Sequence, residues 1–171
     1  MIDISTELNR LADLHELSGP GVAAVLDAGG WSGARRIPAT ECVTSWRRGD
    51  AWAWVQGDGP AVQVEFTVWH RDVDDEWPDP DTYIDDLYDA ASAELPGLVA
   101  QLKSGPLGAR LESSDEDLTN GADYIEHSAW RVADKIVLAG VKQDDTDVPV
   151  QLVVVVRGHA VDAEDDGGEW L

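Results

Sequence analysis

The side chains most able to do chemistry in this sequence are carboxylates, which gather in two segments, residues 72–81 and 143–148. Alternating carboxylates can hold calcium, which takes roughly six to eight oxygen ligands. The EF-hand loop also needs a glycine at its sixth position and a glutamate at its twelfth. Counted from Asp72, those positions hold Trp77 and Tyr83. The pattern is therefore not an EF-hand, and we expect no metal site.

Both acidic segments are instead predicted to bind a partner. Nine carboxylates and no basic residue lie between residues 72 and 89, and a cationic partner would relieve their mutual repulsion. Trp77 lies within the first segment and Trp69 just before it, and tryptophan is enriched among the residues that dominate binding energy. The predicted partner-binding residues are Trp69, Asp72, Asp74, Asp75, Glu76, Trp77, Asp79, Asp81, Asp144, Asp145 and Asp147.

Tryptophan is abundant, with eight residues against one phenylalanine and three tyrosines. Trp69 falls on the polar phase of its predicted strand, together with Glu65 and Thr67, so we expect its side chain to be available to a partner. Four others are expected to fill the core in place of phenylalanine. These are Trp46, Trp52, Trp54 and Trp130.

Other catalytic or cofactor signatures are weak. The four histidines and the single cysteine, Cys42, do not stand at metal-ligand spacings. The segment Gly30-Trp31-Ser32-Gly33 lacks the strand-to-helix context of a nucleophile elbow, and Gly57-x-Gly59 is a predicted hairpin turn without a following helix to hold phosphate. We therefore predict no catalytic residue, no cofactor and no enzymatic activity.

Charge narrows the range of partners. Lys and Arg total 12 and Asp and Glu total 34, which gives a net charge of −22. Binding to nucleic acid or to anionic membranes requires cationic surface, so we expect neither. No basic leader followed by an apolar run is present at the start, apolar runs such as 152–156 are short, and one cysteine cannot form an internal disulfide. These features predict a cytoplasmic protein whose partner is a protein with a basic surface.

Hydrophobic spacing predicts the elements that carry these residues. Two N-terminal helices come first, and residues 32–40 are predicted to form a loop. A long helix is predicted over residues 84–102 and contains Pro96, which should kink or split it. The predicted strands are 41–48, 51–56, 61–70, 124–132, 135–142 and 150–157. We expect an α+β fold: a largely antiparallel sheet of about six strands in two meanders, with all helices on one face.

This fold should form one domain over residues 1–157, with a solvated, disordered acidic tail over 158–171. The strand at 150–157 is apolar on both faces and should be central. One core is expected between the sheet and the helices. Its predicted members are Val62, Val64, Phe66, Val68, Ile84, Leu87, Leu95, Leu98, Ile136, Leu138, Leu152 and Val154.

The C-terminal half carries a resemblance to a known group of proteins. A Trp-Arg strand at 129–132, followed by a hairpin of apolar strands that ends at 150–154, is similar to the C-terminal halves of immunity proteins of bacterial polymorphic toxin systems. These are small, acidic, cytoplasmic α+β proteins. The resemblance implies a non-catalytic inhibitor that binds a cognate toxin domain and occludes its basic active site.

Two alternatives stay open at this point. The order of helix, three strands, helix and further strands is similar to secretion chaperones, which would make the chain a dimer that holds an exported substrate. The excess of carboxylates is also compatible with a DNA mimic, whose acids would be spaced like phosphates and would occupy the groove of a nuclease or repressor.

Overall fold

The computed structural model describes residues 3–36, 43–57, 62–71, 80–114, 116–119, 122–143 and 149–158. Over these ranges the chain forms three α-helices, α1 (Ser5–Asp13), α2 (Gly19–Ala28) and α3 (Pro80–Ser104), and a short 3-10 helix at Gly108–Arg110. The strands are β1 (Ser32–Arg36), β2 (Val43–Arg48), β3 (Ala51–Gln56), β4 (Gln63–Arg71), β5 (Glu126–Val132), β6 (Lys135–Lys142) and β7 (Val150–Gly158).

The strands form one sheet in the order β1-β2-β3-β4-β7-β6-β5, with every neighbouring pair antiparallel. The α+β prediction is therefore confirmed, with seven strands described where about six were expected. β7 is central, as its β-branched sequence predicts, because it joins the meander β1–β4 to the hairpin β5–β6. Residues 150 and 152–156 of β7 are all buried.

The additional strand is β1, which lies where a loop was expected. Its sequence, Ser-Gly-Ala-Arg-Arg, has no apolar alternation. It pairs with β2 through an irregular register between Gly33 and Arg35. Gly33 has a φ of 125°, and a Cβ there would come within 2.9 Å of the Ser45 carbonyl oxygen. A glycine is thus needed for this edge strand to reach its neighbour.

The three helices supply the buried layer on one face of the sheet. In α1, Leu8 and Leu11 are completely buried, and in α3, Leu95 and Leu98 pack into the same core as Phe66 and Val154 of the central strands. α3 contains Pro96 and runs through it as a single helix, with Pro96 on its exposed side. Of the two outcomes expected at Pro96, a kink or a split, the split is therefore wrong.

Two core predictions fall on the other face of the sheet. Leu138 pairs with Val155 and belongs to a second apolar cluster that includes Val153. Ile136 is buried and pairs with Arg157, in phase with Leu138. The single predicted core is therefore wrong for these two residues, because alternate side chains of β6 are buried on opposite faces. The side chain of Ile84 and residues 159–171 of the predicted tail lie outside what the structure describes, whereas Gly158, the first residue of that tail, ends β7.

Two buried charges attach α1 to the sheet. Glu7 is 3% exposed, and one of its oxygens accepts hydrogen bonds from Trp31 Nε1 at 2.8 Å and Arg48 Nη1 at 2.7 Å. Lys135 is 2% exposed, and its ammonium donates to the carbonyls of Ala12 and Leu14 at the end of α1. A cation at a helix C-terminus is favourable because the last carbonyls carry partial negative charge. In the part of the chain described, no helix is both long and apolar enough to cross a membrane.

Candidate functional site on the open face of the sheet

The face of the sheet opposite the helices carries a groove of about 1410 Å³, which we call the open groove. It crosses six adjacent strands, β1, β2, β3, β4, β7 and β6. With strands about 4.8 Å apart, it is roughly 24 Å long. The lining residues on which the following description depends are Arg47, Trp52, Trp54, Glu65, Tyr124, Lys142 and Arg157.

Trp52 and Trp54 of β3 form the aromatic end of the open groove. Ala51, Ala53 and Val55 are buried toward the helices, so the alternation of the strand directs both tryptophans to the opposite face. Each tryptophan is half-buried. The prediction that they fill the core is therefore wrong, whereas Trp46 and Trp130 are buried with the helix-side core as expected.

The surroundings of Trp52 restrict its position. The Arg47 guanidinium lies over its ring at 5.8 Å from the ring centre, and the His70 ring is 4.4 Å from it, centre to centre. Arg47 is the direct cross-strand partner of Trp52. Cation–π contact and packing of planar rings both favour one arrangement of these side chains. This end of the open groove is therefore a preformed aromatic and cationic surface.

The middle of the open groove is polar. Glu65 of β4 and Lys142 of β6 form an ion pair at 2.9 Å, and β7 lies between their strands. Both side chains are less than one-fifth exposed. Beside this pair, Thr67 donates a hydrogen bond to Gln151 Oε1 at 3.2 Å. These partners satisfy polar groups that the surrounding apolar side chains would otherwise leave desolvated.

The far end of the open groove is closed by the segment before β5, described over residues 116–119 and 122–125, which we call the covering segment. Glu112 forms an isolated β-bridge with Arg131 at the edge of the sheet. Tyr124 then packs against the apolar cluster of Leu138, Val153 and Val155. A side chain at position 140 would collide with Tyr124, because a Cβ there would be 2.7 Å from its ring. Gly140 thus makes the room that the tyrosine occupies.

Arg157 holds this covering segment to the sheet. Its guanidinium donates a hydrogen bond to the Leu118 carbonyl oxygen. Burial lowers the pKa of Arg157, although the nearby Tyr124 and Asp117 act in the opposite direction. The pKa of Asp117 is itself lowered, chiefly because it accepts hydrogen bonds from the Thr119 side chain and backbone. Arg157 therefore serves the local structure, whereas Arg47 stands exposed at the opposite end.

Trp69 does not occupy the position that its strand pattern predicts. The β4–β7 register shifts between Thr67, which pairs with Val153, and Trp69, which pairs with Leu152. Val68 is the extra residue of this β-bulge, so side chains after it change faces. Trp69 consequently packs against the helix-side core, with Arg71 over its ring at 5.1 Å. Its assignment to a partner-facing surface beside Glu65 and Thr67 is therefore wrong.

The remaining predicted binding residues lie outside what the structure describes, except for the backbone of Asp81 in the first turn of α3. The residues outside are Asp72, Asp74, Asp75, Glu76, Trp77, Asp79, Asp144, Asp145 and Asp147.

The topology nevertheless relates the two acidic segments. Arg71, which precedes the first, pairs directly with Val150, which follows the second. The described residues that flank the two segments therefore lie at the same end of the strands, where Gln143 and Pro149 line the open groove.

The strands carry a different charge balance from the rest of the chain. Their acidic residues are Glu65 and Glu126 alone, against nine basic residues: Arg35, Arg36, Arg47, Arg48, Arg71, Arg131, Lys135, Lys142 and Arg157. The strands are therefore net positive, and the whole net charge of −22 comes from the helices and connections. The open groove lies on a locally cationic sheet within a strongly acidic protein.

These features favour recognition of a chain segment. Small-molecule pockets measure about 300–1,000 Å³, and the open groove is larger, elongated and lined by both aromatic and charged groups. Among the described residues, no three His, Cys, Asp or Glu side chains are grouped to hold a metal ion. Comparison of the chain with family models, curated proteins and solved structures gave no match.

Proposed function

We propose that this chain is a non-catalytic binding protein of the immunity type, which neutralises a cognate toxin domain in the bacterial cytoplasm. Its principal contact surface in this proposal is the open groove. The observation that carries the proposal is the pair of half-buried tryptophans, Trp52 and Trp54, on the sheet face that the helices leave uncovered. Large aromatic side chains in such positions are the usual anchors of protein–protein interfaces.

The charge of the protein supports a cationic partner. A net charge of −22 attracts a basic protein over a long range and accelerates encounter. The residues that flank the two acidic segments, Arg71 and Val150, pair with each other at the end of the strands where Gln143 and Pro149 line the open groove. In this arrangement the acidic segments guide a basic surface toward the groove, and the tryptophans hold it there.

Occlusion is the form of inhibition that this geometry favours. The groove is roughly 24 Å long across the strands, enough for about seven residues of extended chain. A loop that borders a toxin's basic active site would fit it, and the acidic segments would then face the cationic residues of that site. Blocking a site in this way requires no catalytic group on the inhibitor.

The direct test uses the product of the gene adjacent to this one. We expect that product to stop the growth of a bacterial host when expressed alone and to be harmless when this chain is co-expressed. We also expect the two purified proteins to form a stable complex. Growth arrest that co-expression does not relieve, or the absence of a complex between the purified proteins, would contradict the immunity proposal.

The role of the first acidic segment can be measured separately. Reversal of Asp74, Asp75 and Glu76 to Lys should slow association and weaken its dependence on salt, with little effect on dissociation. The matched control reverses three exposed acids on the helix side, Glu16, Asp27 and Glu94, which changes the net charge equally. If both triple variants slow association to the same extent, total charge rather than the acidic segment guides the partner.

A further inference from the structure

The cationic end of the open groove points to one property of the partner that its overall charge would not suggest. We infer that the partner, although basic overall, places a carboxylate against Arg47, beside an apolar group that packs on Trp52 and Trp54. This inference rests on the proposed function, since it assumes that the open groove is the contact surface. It identifies the chemistry of the partner's inserted segment as acidic and apolar.

Arg47 differs from the other groove cations in its bonding. Lys142 is paired with Glu65, and Arg157 donates to the Leu118 carbonyl. Its sequence neighbour Arg48 faces the helices and is paired with the buried Glu7. Among the described residues, no carboxylate lies within ion-pair distance of Arg47, although the chain contains 34 acidic residues. Its guanidinium therefore retains its capacity to bind an anion.

The position of Arg47 prepares it for such a contact. The 5.8 Å approach to the Trp52 ring reduces the freedom of a side chain that otherwise loses considerable entropy on binding. A guanidinium presents a planar set of donors that matches a carboxylate with two parallel hydrogen bonds.

Nearby acids do not oppose a carboxylate at this end. Glu65, the direct cross-strand partner of Trp54, is neutralised by Lys142 at 2.9 Å. Asp123, the other acidic lining residue, belongs to the covering segment at the far end of the open groove. The Trp52–Trp54 end is thus complementary to an anion in a protein whose long-range field attracts cations. A partner must be basic overall and also present a carboxylate at this end, and this double requirement makes the contact a source of specificity.

The test uses a phage-displayed library of random peptides selected on the full-length protein. We expect the selected peptides to be enriched in Asp or Glu next to an aromatic or branched apolar residue. Arg47→Gln should weaken their binding about tenfold to a hundredfold, and Arg47→Lys should restore part of the loss. Arg10→Gln, which removes an exposed arginine from α1, is the matched control and should leave binding unchanged.

The outcomes separate this inference from the proposed function. Peptides that lose affinity with Trp54→Ala but bind equally well to Arg47→Gln would overturn the carboxylate inference and leave the groove as a binding surface. Selected peptides without acidic enrichment would overturn it in the same way. If no peptide depends on Trp54, both the inference and the assignment of the open groove as the contact surface are contradicted, whereas the growth assay still tests toxin neutralisation by another surface.

Discussion

Replacing Lys135 with methionine should destabilise the protein substantially, even though most lysine substitutions are neutral. Lys135 is 2% exposed and donates to the carbonyls of Ala12 and Leu14, as well as to Asp134 Oδ1 at 2.9 Å. Methionine preserves most of the packing volume and removes the ammonium. The substitution therefore isolates the contribution of this buried cation to the end of α1.

The expected loss of stability follows from the hydrogen bonds and the charge interaction that the Ala12 and Leu14 carbonyls lose. A buried acceptor left without its donor costs about 1–3 kcal/mol, and loss of a cation from a helix C-terminus costs about 0.3–2 kcal/mol. Relief from burying an ammonium group offsets part of this cost. We therefore expect the free energy of unfolding to fall by about 2–4 kcal/mol, which lowers Tm by roughly 4–16 °C in a chain of this length.

Urea denaturation followed by tryptophan fluorescence measures this change, with Lys103→Met as the control. Lys103 is exposed in the last turn of α3, so its replacement should change the free energy of unfolding by no more than about 0.5 kcal/mol. A loss below about 1 kcal/mol for Lys135→Met, or equal losses for the two variants, would refute the claim that Lys135 attaches α1 to the sheet.

Three further predictions concern packing, pH and salt. Gly140→Ala should cost about 1–3 kcal/mol because its Cβ meets the Tyr124 ring at 2.7 Å, and the penalty should shrink in a Tyr124→Ala background; equal penalties in the two backgrounds would contradict the clash. A hydrogen bond from Lys135 lowers the pKa of Asp134 below 3.8, so the stability contributed by Asp134 is present above that pH and lost as pH falls through the folded-state pKa. Asp134→Asn should accordingly flatten the dependence of stability on pH below about 4, and an unchanged acid limb would argue against this interaction. Raising NaCl from about 0.02 M to about 0.5 M at pH 7 should raise Tm, because screening weakens repulsion among the excess carboxylates; a lower Tm would show that the ion pairs outweigh it.

Local sequence signals predicted most of the architecture. The alternation of Val62, Val64 and Phe66 placed β4 against the helices, and all three are buried. Gly49, with a φ of 60°, allows the tight turn that joins β2 to β3. The β-branched run of β7 predicted a central strand, which the order of the sheet confirms, and its residues 152–156 are buried. The hydrophobic pattern was sufficient to predict these elements because burial determines which positions along a strand must be apolar.

The binding surface was harder to predict because two signals were ambiguous. In β3, both alternating sets are apolar, so periodicity alone does not decide whether the alanines or the tryptophans face the helices. The cross-strand partners of Trp52 and Trp54 do decide it, since Thr67 and Glu65 are polar. Trp69 was misplaced for another reason: a β-bulge leaves no mark in hydrophobic alternation, yet it reverses the face of every later residue in the strand.

The measurement that most directly tests the central claim compares two tryptophan variants for binding to the product of the adjacent gene. Trp54 lies in the open groove and Trp69 packs on the helix-side core. Trp54→Ala should weaken the complex by about 2 kcal/mol or more, mainly through faster dissociation, while the free energy of unfolding changes little. Trp69→Ala should destabilise the fold and leave the affinity of the folded protein intact. Unchanged binding by Trp54→Ala, together with loss of binding by a folded Trp69→Ala, would contradict the assignment of the open face as the contact surface.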